Sequence, residues 1–404
     1  MLLYRALMTL FAAKELASRL RARDGQAVCE RLGRVAPIDH HPRIWLHAAS
    51  NGELISARPV IDALLAQGRS LLITVNTDSA RQMAESWQLS NCDVLLAPVD
   101  LPGPTSRVLR NWGITAHITL ESDLWPIRIL KTPGPVLVLG GRLTERSAKG
   151  WARFDRLVRQ VMARVSYLSA QDSASAQRFA HAGLPKAAMG PVFDLKALYT
   201  PPTDQPDPAL AKTFQRENTW LAASTHEGED DTILAAHKAA LTERPALKLI
   251  LAPRHPRRAA EIAQMIRDHG LTCAQRSKGD NPAQAQVYLA DTLGEMHLWY
   301  RLAGVTFVAG SLTDRGGHTP YEPVAFGSAI LHGPDTGNFS SAYDRLAAAN
   351  AAVCTPEATA LSQALIALNT VEKQAQRGQA ARHVLHQDTD LNGLMRDIIR
   401  TLDA

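Results

Sequence analysis

Glu53 closes the motif HAASNGE (47–53), where an apolar run gives way to small residues and a helical pattern begins. A carboxylate there can take a proton from an incoming hydroxyl, and general bases of this kind typically supply about 10²–10⁴-fold in rate. It can equally complement a helix dipole, with Ser50 or Asn51 as the N-cap. Its place after the first strand of an α/β pattern favours the chemical role. ESDLWP (121–126) follows another strand; Glu121 can contact an acceptor or orient a loop, while Trp125 and Pro126 pack that loop on the core.

The stretch SLTDRGGHTPYEP (311–323) pairs Gly316 and Gly317 ahead of a helix signal at Tyr321. Paired glycines let backbone approach a ligand closely, and a helix start presents unpaired N–H groups to an anion. Glu322 can accept hydrogen bonds from a nucleoside ribose, or simply complement the helix dipole. ASTHEGED (223–230) offers Ser224, Thr225 and His226 as donors where a phosphate could sit. APRHPRR (252–258) ends a strand with Arg254 and His255, a guanidinium and an imidazole suited to clamping phosphate, or else two solvated loop cations. DTLGEM (291–296) adds the N–H groups of Gly294 and Glu295 at a further helix start.

Other chemistries find little support. The chain has no P-loop lysine motif, no GxSxG elbow and no HExxH. Its one DxD, at 388–390, precedes Leu391 and most simply caps the last helix. Four cysteines (Cys29, Cys92, Cys273, Cys354) lie far apart without metal or redox spacing, which fits a reduced cytoplasmic setting.

These residues need elements to position them. Short β-rich runs alternate with helical stretches from 44 onward: strands at 44–47, 71–75, 94–97, 116–120, 136–139 and 167–169, with helices at 53–67 and 174–181. The segment TPPTDQPDPALAK (200–212) packs four prolines and two aspartates together, as an exposed linker would. The rhythm then resumes, with strands at 220–223, 247–252, 287–290, 305–308 and 329–332. Helices follow at 230–241, 258–269, 357–368, 374–386 and 391–402. Strands interleaved with helices imply right-handed crossovers and parallel sheets. The expected architecture is therefore α/β, with two Rossmann-like domains facing across a cleft. The division reads as an apolar and basic helix at 1–30, a first domain at 31–194, a linker at 195–218 and a second domain at 219–404. Each candidate motif falls just after a strand, where open α/β sheets bind ligands.

At 404 residues, with 46% apolar and 21% charged residues, this is an ordinary globular composition long enough for two cores. The net charge of +5 is spread along the chain, and aromatic residues make up only 5%. That combination suits anionic small molecules or lipid rather than nucleic acid. Residues 2–13 are apolar apart from Arg5 and Thr9, too short a run to span a bilayer. The region lacks a convincing signal-cleavage site. Lys14, Arg19, Arg21 and Arg23 follow, so the segment suits lying in the plane of an anionic membrane, or packing on its own domain.

In order and spacing the motifs resemble the 3-deoxy-D-manno-octulosonic acid (Kdo) transferases of lipopolysaccharide synthesis, inverting glycosyltransferases of the GT-B fold. The matching pieces are HAASNGE, LESDLWP, GRLTERSAKG, AASTHEGED, LAPRHPRR, DTLGEM, GSLTDRGGHTPYEP and GPDTGNF, spanning both domains. The resemblance implies a CMP-Kdo donor held by the second domain and a lipid A precursor approaching the first. Glu53 would then be the catalytic base, with Ser50, Asn51, Gly52 and Glu121 on the acceptor side. Ser224, Thr225, His226, Arg254, His255, Gly294, Glu295, Met296, Gly316, Gly317, His318, Thr319, Glu322 and Asn338 would form the donor site. The implied reaction needs no cofactor and no metal, and the implied location is the cytoplasmic face of the inner membrane, held peripherally by the amino terminus.

This chain departs from the family pattern at Asn51, usually Val, and at Thr319, usually Asn. The family's Gly-Asn-Leu-Lys-Phe-Asp segment reads GPVFD here (190–194), without its lysine, and Lys196 is the available substitute. Two alternatives remain compatible with the sequence: a GT-B transferase for another envelope glycan, and a non-catalytic relative that binds nucleotide or lipid.

Overall fold

Strand residues in this chain are apolar at consecutive positions rather than alternating. Arg43–Ala48 and Leu71–Val75 are buried at every residue. Sheets covered by helices on both faces require that pattern. In the computed structural model, which describes residues 2–37, 39, 41–386 and 390–404, the chain forms two units. One comprises Met1–Leu198 with Thr389–Ala404, the other Tyr199–Asp388.

The first unit carries β1 (Arg43–Ala48), β2 (Leu71–Val75), β3 (Cys92–Leu96), β4 (Ile114–Leu120), β5 (Val136–Gly141) and β6 (Tyr167–Ala170). They form one parallel sheet in the order β3-β2-β1-β4-β5-β6. Alternate residues serve opposite faces. Leu46 and Leu71 join a core with Leu54, Val60, Ile61 and Leu64 of the helix Asn51–Ala66. Trp45 and Leu72 pack on the other face with Trp112 and Ile114. Beside them, Val136, Val138 and Leu168 meet Phe179 and Val161.

The second unit carries β7 (Thr219–Thr225), β8 (Lys248–Pro253), β9 (Cys273–Gln275), β10 (Val287–Leu289), β11 (Val305–Val308), β12 (Ala329–His332) and β13 (Ala352–Cys354). They form a second parallel sheet, β13-β12-β11-β7-β8-β10-β9. Trp220 and Ala222 face one core, Leu221 and Ala223 the other.

Every expected strand is present. Cys273–Gln275 and Ala352–Cys354 add the outer edges of the second sheet, each only three residues long. The expected domain boundaries need correction. The segment 1–30 is part of the first unit: Ala27 lies in its core, and the buried Glu30 carboxylate accepts from the Leu96 N–H at 2.7 Å. The supposed linker divides at Leu198, because Leu195 packs in the first core while Leu210 and Phe214 pack in the second. The last helix, Leu391–Leu402, returns to the first unit, where Leu394, Met395 and Ile398 are buried in its core. Asp390 caps that helix, accepting from the Gly393 N–H at 2.8 Å; its DxD partner Asp388 lies outside the described residues. All four cysteines are free thiols. Among the described residues no helix is long and apolar enough to cross a membrane.

The helix Val371–His386 lies against the chain entering β12, and a Cβ at Gly378 would stand 2.3 Å from the Gly327 carbonyl oxygen. Gly378→Ala must therefore push backbone against backbone. It should lower the unfolding free energy by about 1–3 kcal/mol in denaturant titrations.

Candidate functional site

In each sheet the chain reverses its direction of growth beside its first strand. β1 is flanked by β2 and β4, and β7 by β8 and β11. The connections leaving such a pair diverge to opposite faces, opening a crevice at the carboxyl ends. Glu53 follows β1 and Glu121 follows β4, so this switch point brings the two carboxylates together in the first unit.

Ser50 is the N-cap of the helix Asn51–Ala66, its hydroxyl accepting from the Glu53 N–H at 3.4 Å. The Glu53 carboxylate reaches back to accept from the Ala49 N–H at 2.8 Å. This reciprocal arrangement is a capping box displaced by one residue. Capping and chemistry are thus compatible at Glu53, which is half-buried rather than splayed into solvent. Burial, reinforced by the Glu121 charge, lifts its carboxyl to about 8, against the opposing pull of the Ala49 N–H and Lys196. Glu121 sits in a left-handed conformation, φ 49°, that turns the chain sharply out of β4. It accepts a hydrogen bond from the Lys196 ammonium. Asn51 accepts from the Ser79 hydroxyl at 3.3 Å, and Gly52 is exposed with open space where a Cβ would stand.

Beneath them lies a polar link that the sequence reading did not identify. His47, on β1, contacts Asp123 through Nε2 at 2.9 Å and the Thr74 hydroxyl through Nδ1 at 2.9 Å. Nδ1 lies equally 2.9 Å from the Thr74 carbonyl oxygen, and the Thr74 hydroxyl also accepts from Trp45 Nε1 at 2.8 Å. Burial, with Arg128 nearby, holds His47 down to about 4, so it is neutral. Asp123 also accepts from Asn76 at 3.0 Å and Trp125 at 3.2 Å. The loop after β4 is thereby fixed at its middle.

In the second unit Ser224 occupies a left-handed conformation, φ 62°, at a bulge where β7 slips against β8. Non-glycine residues there carry strain of about 1–3 kcal/mol, and such strain gathers at functional sites. The bulge leaves His226 beside His318, Nε2 to Nε2 at 2.9 Å, with His255 6.0 Å away ring to ring. Burial holds His318 down to about 4, and the nearby His226 and Arg254 add to it. His226 is lowered by burial too, with Glu229 opposing and Arg315, His255 and Arg254 assisting. The paired His226 and His318 rings spend an N–H on each other, so the donors left for an anion are the exposed Arg254, His255 and Arg315 beside them.

The glycine loop behind them is built for its conformation. Gly316 and Gly317 have φ of 77° and 71°, and a Cβ on Gly316 would stand 2.6 Å from Asn338. Asn338 donates to the carbonyls of Arg315 at 2.7 Å and Gly317 at 3.3 Å, bracing the loop. Thr319 accepts from the Tyr321 N–H at 3.4 Å. Glu322 lies in the first turn of Tyr321–Ala325, and burial lifts its carboxyl to about 7.

One expected donor is otherwise engaged. Thr225 is fully buried and donates to Asp230 at 2.6 Å, a contact inside the core rather than toward a ligand. Glu295 is paired with Arg276 at 2.7 Å and accepts from Thr292. The helix begins at Met296, with Glu295 as its N-cap and Gly294 just before it. Among the described residues no group of three or more His, Cys, Asp or Glu is placed to hold a metal ion.

Glu229, the N-cap of the helix Asp230–Ala240, has a larger structural part. Fully buried, it accepts from the backbone N–H groups of His226 (2.9 Å), Gly310 (2.8 Å), Ser311 (3.0 Å) and Leu312 (3.0 Å). It ties the turn after β7 to the turn after β11 across the switch point. Hydrogen bonds to a charged group contribute about 1.5–3 kcal/mol each, and their loss here leaves buried donors unpaired. Glu229→Gln should therefore cost about 3 kcal/mol in denaturant unfolding, with faster hydrogen exchange at Gly310, Ser311 and Leu312.

Residues 26–198 match the family model described as 3-Deoxy-D-manno-octulosonic-acid transferase (kdotransferase). The 3-deoxy-D-manno-octulosonic acid transferase of Haemophilus influenzae is 31% identical over 372 residues, covering 88% of this chain and 86% of that protein. The transferase of Bordetella pertussis is 32% identical over 372 residues, covering 87% and 85%. Among solved structures, a putative UDP-N-acetylglucosamine 2-epimerase from Listeria monocytogenes superposes with a TM-score of 0.60 at 12% identity, covering 86% of this chain and 95% of its own. HepE of Anabaena, solved with UDP and glucose, gives 0.57 at 15% identity, covering 90% and 100%. The structural likenesses identify the fold as GT-B. Sequence identity across both units goes further: the chain belongs to the Kdo transferases, a family of glycosyltransferases.

Proposed function

We propose that the protein transfers Kdo from CMP-Kdo to a sugar hydroxyl of a lipid A precursor, with Glu53 as the general base. The observation that carries this reading is the Glu53 carboxyl, lifted to about 8 by burial and Glu121 and held at a helix start after β1. A base is most effective when its pKa lies near the working pH. Glu53 would take the hydroxyl proton as the acceptor oxygen bonds to C2 of Kdo. The bond from C2 to the phosphate oxygen would break, CMP leaving with the electron pair and the configuration inverting. Arg254 and His255, beside the His226–His318 pair, would offset the charge developing on the phosphate. Glu322 would accept from the ribose, and the braced glycine loop would sit against the donor.

Lys196, rather than a lysine in the segment 190–194, would be the cation of the acceptor side; its bond to Glu121 supports that substitution.

The amino-terminal helix, Leu2–Arg21, suits attachment to a membrane surface. Met8 and Ala12 are buried, whereas Leu3, Leu7, Leu10 and Phe11 lie exposed along one side. Lys14 and Arg21 continue that exposed side, so hydrocarbon and cations share one face.

The activity should rise with pH along an acid limb near 8, set by Glu53. Glu53→Gln should lower kcat about 10²–10⁴-fold. Glu121→Gln removes a charge that raises the Glu53 pKa and releases Lys196, which lowers it, so the limb should move to lower pH. Lys196→Met should move it higher. An unmoved limb in the kcat/KM profile of both variants, or full turnover by Glu53→Gln, would refute the base assignment.

Replacing Leu3, Leu7, Leu10 and Phe11 together by Gln leaves the buried side of the helix intact. The variant should shift from the membrane to the soluble fraction after centrifugation. Unchanged partitioning would exclude this face as the attachment surface.

A further inference from the structure

A cavity of about 500 Å³ opens in the first unit between the loop after β4 and the helices that follow β5. Its lining includes Tyr4, Leu124, Trp125, Trp151, Phe154 and Val161, with Ser122 and Asp123 as polar members. The volume falls within the range of about 300–1,000 Å³ typical of small-ligand pockets, whose walls are mostly apolar with a few polar groups.

We propose that this cavity receives one acyl chain of the lipid acceptor, and so selects acceptors by hydrocarbon length. The inference rests on the reading that the acceptor is a lipid, and two observations on position commit it to that occupant. The loop that builds the cavity begins at Glu121, the carboxylate bound by Lys196 and felt by Glu53, and reaches the apolar wall at Leu124 and Trp125. Asp123, a polar member of the lining, is fixed by His47, Asn76 and Trp125, so that part of the lining is tied to β1. A molecule whose hydroxyl meets Glu53 therefore needs to extend only along this loop to place hydrocarbon in the cavity. On the other side, Tyr4 belongs to the helix whose exposed face carries Leu3, Leu7 and Leu10, and its hydroxyl donates to Asp100 at 2.6 Å, holding that helix at the rim. Hydrocarbon leaving a bilayer beside that helix meets the cavity directly. An amphiphile with its sugar at Glu53 and its chain in this cavity satisfies both ends.

Gly150 provides the test, because it lines the cavity and a Cβ there would meet nothing within 4 Å. Gly150→Phe adds a ring at the cavity lining without displacing backbone, and Gly150→Ala controls for the change in helix propensity. Transfer from CMP-Kdo is measured for the full chain and both variants, using acceptors with one headgroup and graded acyl length. The unaltered chain and Gly150→Ala should lose about fourfold in kcat/KM for each methylene withdrawn from the cavity. Gly150→Phe should raise KM for long-chain acceptors, leave the shortest acceptor unaffected, and flatten the length dependence. The same length dependence in all three proteins overturns the proposal, as does equal loss on long and short acceptors by Gly150→Phe. Failure of the unaltered chain to transfer to any acceptor, with CMP-Kdo still bound, instead overturns the functional reading, and the acyl site falls with it.

Discussion

A parallel sheet covered on both faces leaves polar chemistry no place except the strand ends. That constraint governs both units of this chain. The strands are continuous apolar runs, so the ionisable groups collect where β1 meets β4 and where β7 meets β11. Once there, they sit against the cores that produced them. Burial is accordingly the largest influence on Glu53, Glu322, His226 and His318, pushing the acids up and the imidazoles down. One physical cause tunes a proton acceptor in one unit and holds a pair of imidazoles down in the other.

What keeps these groups from being only a cost is their pairing with backbone and with each other. Glu53 is held by an amide N–H at its own helix start, so its position does not depend on a long flexible contact. Glu229 shows the stronger form, four amide N–H groups converging on one carboxylate. Glu121 is the intermediate case: a strained backbone aims the side chain, and Lys196 answers its charge. The three carboxylates occupy similar topological places and differ mainly in how many donors reach them.

Much of this was legible in residue order. Strands rich in Val, Ile and Leu declared themselves, and so did several of the helices between them, whereas Asp78–Ser86, Pro102–Asn111 and Ser340–Ala348 went unassigned. The edge strands Cys273–Gln275 and Ala352–Cys354 were not, since three residues of mixed type carry no periodicity and are defined only by their neighbours. Ser50 and Glu53 were readable because capping is local. Thr225 looked available from its position at a strand end, but a bulge at Ser224 turns it inward to Asp230. Likewise Glu229 resembled any first-turn acid, because three of its four amide partners lie more than eighty residues away, after β11. The His47–Asp123 link is equally non-local, with 76 residues between its members. Lys196 could be noted beside the anomalous GPVFD segment, but its bond to Glu121 required the fold.

The return of Leu391–Leu402 to the first unit has a consequence for biosynthesis. Because Leu394, Met395 and Ile398 complete a core begun by β1 and β2, everything from Tyr199 onward must leave the ribosome before that core can close. The earlier-made unit is thus finished last, and until then a strip of its apolar helix surface stays uncovered. Burying three such side chains releases about 1.5–3 kcal/mol apiece. The nascent first unit must wait for that share of its stability, during which chaperones can compete for the same strip.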